Sequence, residues 1–194
     1  MLWRRPNARM GAMPDPARYS AVELLRDGRR VEIRALKSDD RSDFLAAIDR
    51  TSAGSLYRRF FSVRRYFTPQ EVAFFLNVDF VSQVALVAVV EEAGREAIVG
   101  AGRYIVTQPN RAELAFAVID QYQRLGIGKA LMRHLAQIAR EAGLEEVHAE
   151  VLPDNIAMLK VFEESGHSIT TRRGRSVVDV TLRLGGTPAK LLVR

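Results

Sequence analysis

No cysteine occurs in the 194 residues, and that absence removes a disulfide framework, a cysteine-based zinc site and a cysteine nucleophile together. Histidine is scarce as well: His134, His148 and His167 share no metal-type spacing, so they read as structural or surface residues and no metal is expected. Long apolar runs are also missing. Stretches such as Val84 to Val90 fall far short of the roughly 18 residues that span a bilayer, and Met1 to Met13 has charges but no apolar signal-peptide core. A cytoplasmic protein with no membrane partner is therefore expected. The formal net charge is +6, yet the excess sits at the two ends. Residues 1 to 34 carry 8 basic against 4 acidic side chains and residues 172 to 194 carry 6 against 1, while the middle carries 15 against 18. A nucleic-acid binder concentrates positive charge on one element with interleaved aromatics, so no nucleic-acid partner is expected.

What is present suits a single domain large enough to bury its own core. The first 20 or so residues hold Pro6, Gly11, Pro14 and Pro16 among arginines without periodicity, and read as a flexible arm (1–20) ahead of a domain at 21–186 and a short tail at 187–194. Val31 to Ala35 alternates as a first strand does. Ser38, Asp39 and Asp40 supply an N-cap and first-turn acids for a helix through Phe44, Leu45 and Ile48. Thr68-Pro69-Gln70-Glu71 gives a cap, a proline at N1 and an acid at N3, which starts a second helix. Gln83 to Glu91 and Ala97 to Thr107 form a hairpin around Gly94, and Ala112 to Ile119 adds a strand. A long amphipathic helix follows from Ile127 to Ala142, with Ile127, Leu131, Leu135, Ile138 and Ala142 as its core stripe and Gly143 past its end. Glu146 to Leu152 (strand), Asn155 to Ser165 (helix ending at Gly166) and Ser176 to Leu184 (strand) complete a mixed α/β sheet.

The most informative segment is Gln123-Arg124-Leu125-Gly126-Ile127-Gly128, placed between a strand and that long helix. A glycine-containing turn opening a helix aims several main-chain N–H groups one way and adds the positive end of the helix dipole, so it suits a pyrophosphate. The spacing is neither that of the dinucleotide-binding turn nor that of the nucleotide P-loop. Two charges flank the glycines, Arg124 and Lys129, and could pair with phosphate or simply be solvated. On the preceding strand, Glu113, Ala115 and Ala117 share one face by the period of two. A carboxylate beside two methyl groups leaves room for a slender ligand arm and gives a proton acceptor at one end.

Gln123, Gly126 and Gly128 occupy the three defined positions of the acetyl-CoA-binding signature Arg/Gln-x-x-Gly-x-Gly/Ala, so the segment resembles that of the GNAT N-acetyltransferase superfamily. The order of elements over about residues 31 to 184 is also that of the GNAT fold, a mixed sheet of about six to seven strands flanked by about four helices. The resemblance implies acetyl-CoA as donor, a primary amine as acceptor, and Glu113 as general base. It further implies cofactor contacts from Val118 and Ile119 through their main-chain N–H groups, from Gln123 to Lys129 around the diphosphate, and from Asn155, whose rival role is a helix N-cap. One departure stands out. The related family often reads N-x-x-A-x-x-L-Y-E-K-x-G-F, and the tyrosine position here is Phe162, which cannot donate a proton; solvent is left to protonate the leaving thiolate. Ser55-Leu56-Tyr57-Arg58-Arg59-Phe60-Phe61-Ser62, with Thr68 to Glu71 and Val84 to Val89, looks like the acetyltransferase domain of bacterial protein-lysine acetyltransferases, whose targets include acyl-CoA synthetases. The resemblance thus implies a protein substrate with an exposed lysine. A small-molecule amine acceptor, or an inactive CoA-binding sensor, are the alternatives, and the oligomeric state, a homodimer included, is open.

Overall fold

A computed structural model describes residues 15–64 and 66–185. The arm expected over residues 1 to 20 lies outside the described residues up to residue 14, as does the tail at 187 to 194. The described chain starts at Asp15. A 3-10 turn at Pro16–Arg18, capped by the Asp15 carboxylate, leads into β1 (Ser20–Leu24), which pairs antiparallel with β2 (Arg30–Ala35). The sheet therefore begins inside the stretch read as an arm. The local prolines and arginines masked a strand that needs only Val22 and Leu24 for its side-chain pattern, both of them exposed.

Eight strands form one sheet in the order β1-β2-β3-β4-β5-β6-β8-β7, with β3 at Gln83–Glu92, β4 at Arg95–Gln108, β5 at Arg111–Val118, β6 at Glu146–Val151, β7 at Ser168–Arg173 and β8 at Val178–Arg183. Five α-helices accompany it among the described residues: α1 (Arg41–Asp49), α2 (Ala53–Phe60), α3 (Pro69–Leu76), α4 (Ile127–Glu141) and α5 (Ile156–Glu163). The mixed α/β expectation holds, with β1, β7 and α2 added. β7 is an edge strand almost wholly exposed, so it has no apolar alternation to read. α2 is a short helix that Ser52 caps by accepting from the Ser55 N–H. The expected cap of Ser38 on α1 is not formed. Residues 38 to 40 make a 3-10 turn instead, and Asp40 gives both carboxylate oxygens to buried Arg34, at 2.8 Å each.

The physical causes of the site's geometry are few. The β3–β4 hairpin turns at Ala93 and Gly94, both at positive φ (50° and 77°), the combination that two-residue turns require. α4 buries Ile127, Leu131, Leu135 and Ile138 against the sheet, as the stripe predicts, whereas Ala142, expected as its last member, is the exposed C-cap where the helix has ended. It comes unusually close to β4 because Gly100 and Gly102 have no side chains there; a Cβ on Gly102 would sit 2.8 Å from Leu135 Cδ1. Every neighbouring strand pair is antiparallel except β5–β6, which is parallel and registers over only Arg111, Ala112 and Glu113. Beyond Glu113 the two strands part, and the sheet opens into a wedge.

Candidate functional site

A cleft of about 560 Å³ occupies that wedge and runs to the start of α4, within the size range of small-molecule sites. Glu113, Ala115, Ala117, Val118, Gln123, Arg124, Gly126, Gly128, Lys129 and Asn155 all line it, so most of the residues singled out in the sequence meet in one place. Glu113 is exposed, at the end of β5 where the parting begins.

The loop that opens α4 is held by two unusual backbone conformations, Arg124 at φ 64° and Gly126 at φ 103°. They turn the chain so that α4 starts facing the wedge. Its first intrahelical bond runs from the Ala130 N–H to the Gly126 carbonyl. The N–H groups of Gly126, Ile127, Gly128 and Lys129 therefore have no protein acceptor among the described residues, the usual state of a helix N-terminus and a natural anion site. Gly128 has ordinary helical backbone, and a Cβ there would meet only Val161 Cγ2 at 3.8 Å. The packing of the fold does not need that glycine.

Ile119 differs from the expectation. Its N–H donates to the Val99 carbonyl at 3.0 Å, because Ile119 continues the β4–β5 ladder by one hydrogen-bonded pair. By the alternation of an antiparallel ladder, the N–H of Val118 then points away from β4, into the wedge. The Val118 N–H is thus left free on the wedge side, whereas that of Ile119, expected to serve beside it, is already taken by Val99. Leu125 and Ile127 also contribute no side chain to the cleft: Leu125 packs on the core and Ile127 is 1% exposed. Their part is confined to the main chain.

Gln123 acts through its amide nitrogen, which donates to Ser55 Oγ at 3.0 Å and to the Val118 carbonyl at 3.1 Å. Ser55 in turn donates to Asp120, which also accepts from the N–H and hydroxyl of Ser52. Burial alone would raise the Asp120 carboxyl, but these three donors outweigh it and hold the group below the usual carboxylate range. α2 is thus tied to the loop that opens α4. Arg26, in the β1–β2 turn, adds a second tie: its N–H donates to the Leu125 carbonyl and its guanidinium to that of Arg124. Neither tie was readable in sequence, since Ser52, Ser55 and Arg26 lie some 65 to 100 residues away from their partners.

Asn155 serves as the N-cap of α5, accepting from the Met158 N–H at 3.3 Å, while lining the cleft. Lys129 lies 3.8 Å from Glu164, so one of the two flanking cations is partly neutralised. Phe162 is 2% exposed and stacks on Phe116 with ring centroids 5.7 Å apart. It is a core residue at the cleft floor. His134 is likewise structural: it bridges Tyr19 and Glu23, and burial pushes its imidazole below the ordinary value against the opposing pull of Glu23.

Residues 51–167 match the acetyltransferase (GNAT) family. The chain belongs to this family. It is an acetyl-CoA-dependent acetyltransferase, similar to the acetyltransferase PA5475 of Pseudomonas aeruginosa, with 34% identity over 71% of this chain and 74% of that protein. It is 36% identical to the acetyltransferase Pat of Mycolicibacterium smegmatis over 59% of its own length and 34% of that longer protein. Among solved structures, the GNAT domain of S. lividans PAT superposes with a TM-score of 0.77 at 31% identity, covering 84% of this acetyltransferase and 96% of that domain. The yncA acetyltransferase of Salmonella typhimurium, solved with its cofactor acetyl-CoA, shares the fold with a TM-score of 0.64 at 19% identity.

Proposed function

We propose that this acetyltransferase moves an acetyl group from acetyl-CoA to the side-chain amine of a protein lysine, with Glu113 as general base. The observation that carries the reading is the continuity of one cleft. Unpaired N–H groups at the start of α4 stand at one end, and the Glu113–Ala115–Ala117 face stands at the other. The main chain from Gly126 to Lys129 holds the diphosphate, with Arg124 and Lys129 as flanking cations, and Asn155 borders the arm.

A lysine must lose its proton before it can attack, and at pH 7 that costs roughly 4 to 5 kcal/mol for a pKa of about 10.4. Glu113 takes that proton directly or through one water, and its exposed position allows either route. As the nitrogen–carbon bond forms, the Val118 N–H in the wedge donates to the carbonyl oxygen where charge develops. The carbon–sulfur bond then breaks and the thiolate takes a proton from solvent. Phe162 has none to give, and an ordinary thiol pKa of about 8.5 makes the step undemanding.

The protein acceptor is supported by the similarity to Pat-type acetyltransferases and by the exposed aromatic and basic surface beside the cleft. Arg58 and Phe61 line the cleft and are exposed, and Tyr57, Val63 and Tyr66, close by in sequence, are exposed as well. Arg59 on the acceptor wall opposes a polyamine, whose several positive charges it would repel. The test is to incubate the purified protein with labelled acetyl-CoA and either a cell lysate or a candidate acyl-CoA synthetase. Label on protein lysines, lost in Glu113→Gln, supports the reading; label on small amines alone rejects it.

A further inference from the structure

We propose that Arg103, together with Arg59, forms a subsite for a carboxylate carried on a short apolar arm of one of the two reactants. The proposal rests on the reading that the Glu113 face is where the reaction occurs.

Arg103 of β4 stands directly opposite Ala115 of β5, so it rises from the same face of the sheet as Glu113 and Ala117. It is 7% exposed. Its Nη2 donates to Gln83 Oε1 at 3.1 Å and, at 3.5 Å, to the Phe75 carbonyl, while Phe74 and Phe75 lie against the guanidinium with ring centroids 5.1 and 5.6 Å away. Its Nε and Nη1 have no hydrogen-bond partner among the described residues, and no carboxylate there pairs with it. Residues 1–14, 65 and 186–194 contain neither Asp nor Glu. The contrast with Arg34 is instructive: equally buried, that arginine receives a two-pronged ion pair from Asp40. This protein supplies a partner to one buried guanidinium and withholds it from the other.

Arg103 lines a second cavity of about 100 Å³ beneath α1, α2 and α3. Its walls are apolar, with Phe44, Ile48, Phe60 and Phe75 above and Ala115 and Ala117 below. Arg59 lines both this cavity and the cofactor cleft, and so stands where the two meet. Part of Arg59 is exposed, but its guanidinium is enclosed by protein; burial, with Arg103 nearby, pushes it down to about 10 against the opposing charge of Glu113. Two guanidiniums with no direct ion pair, of which only Arg59 feels a carboxylate at all, at the end of an apolar pocket carry a standing cost that an arriving carboxylate reduces. At about 30 Å³ per water-sized group, the room suits roughly three to four non-hydrogen atoms. A carboxylate together with the one methylene that carries it, the end of a glutamate side chain or of a succinyl group, has that size.

The carboxylate has two sources. It sits on the acceptor, as an acidic side chain beside the target lysine, or on the donor, as the far end of a dicarboxylic acyl group. The test has an arm for each. In the acceptor arm, acetyl-CoA turnover is measured on two lysine peptides identical except for Glu or Gln next to the lysine. In the donor arm, calorimetry compares succinyl-CoA with butyryl-CoA, which has a methyl in place of the carboxylate. We expect at least a tenfold preference for the carboxylate in one arm, erased by Arg103→Met and partly kept by Arg103→Lys. Thermal unfolding separates this from a merely structural role, because removing an uncompensated cation should leave the melting temperature of Arg103→Met unchanged or raised. Should Arg103→Met not fold, Arg59→Gln, at a partly exposed position, must reduce the preference. No preference in either arm, or a preference that survives these substitutions, overturns the subsite. Acetyl-CoA is titrated alongside: failure to bind it sinks the acetyl-transfer reading itself, whereas binding without any carboxylate preference sinks the subsite alone.

Discussion

Replacing Gly128 by alanine should strengthen the fold and weaken the enzyme. Gly128 is the second residue of α4, in ordinary helical conformation, where alanine is favoured over glycine by roughly 0.5 to 1 kcal/mol. The added Cβ would meet nothing closer than Val161 Cγ2 at 3.8 Å, an ordinary contact. No steric penalty offsets the gain, and for a domain of this size it corresponds to a rise in Tm of about 1 to 4 °C. The same methyl group occupies the wall against which the diphosphate must lie. Holding that ligand off by the width of a methyl group lengthens the N–H contacts at the start of α4, and losing the better part of two charge-assisted hydrogen bonds costs about 3 kcal/mol. That is a loss of roughly two orders of magnitude in acetyl-CoA affinity. Differential scanning calorimetry and isothermal titration on the same preparation read both effects. An alanine variant that binds acetyl-CoA as tightly as the wild type would refute the reasoning, since it would show that the ligand does not approach this turn.

Glu113→Gln should lower kcat by roughly 10²- to 10⁴-fold while calorimetric acetyl-CoA affinity stays near wild type; a variant that keeps full turnover removes Glu113 from the chemistry. Gly102→Ala should destabilise the domain by about 1 to 3 kcal/mol in urea unfolding, because its Cβ would fall 2.8 Å from Leu135 Cδ1 and 3.2 Å from Phe116 Cβ; unchanged stability would mean that α4 does not press on β4 as described. Burial alone would raise Asp40, but the hydrogen bonds from Arg34 and the Lys37 N–H outweigh it and hold the carboxyl below its ordinary value. A depressed folded-state pKa gives stability that is complete above the unfolded value of about 3.9 and is lost as the pH falls through the folded value. Asp40→Asn should therefore be less stable at pH 7 and show a flatter stability profile between pH 5 and pH 2; parallel profiles would contradict the ion pair. Asp120→Ala should loosen the α2 tie to Gln123 and raise the KM for acetyl-CoA more than it lowers kcat, and an effect on kcat alone would argue against that coupling.

The parts of this fold legible in sequence are those whose information is local. The Thr68 and Glu71 capping box, the α4 stripe and the β3–β4 hairpin each carry their cause within a few residues, and each appears where expected. β7 was hidden because an exposed edge strand needs no apolar face, and β1 because its pattern is completed by pairing with β2 rather than by burial. The same division runs through the site. Gly126, Gly128 and Glu113 are marked by spacing, whereas the bonds from Arg26, Ser55 and Asp120 that hold the loop depend on contacts between distant segments. Ile119 shows the limit most plainly: one further rung of ladder to Val99 decides which N–H faces the wedge, and strand ends are not fixed by composition.

The most direct measurement is an amide nitrogen–proton NMR titration with acetyl-CoA on the backbone-assigned protein. The account predicts that the N–H signals of Gly126, Ile127, Gly128, Lys129 and Val118 move strongly, while that of Ile119, already bonded to Val99, moves little. A titration in which the α4 signals stay still while others shift would contradict the placement of the cofactor, and with it the reaction built upon it.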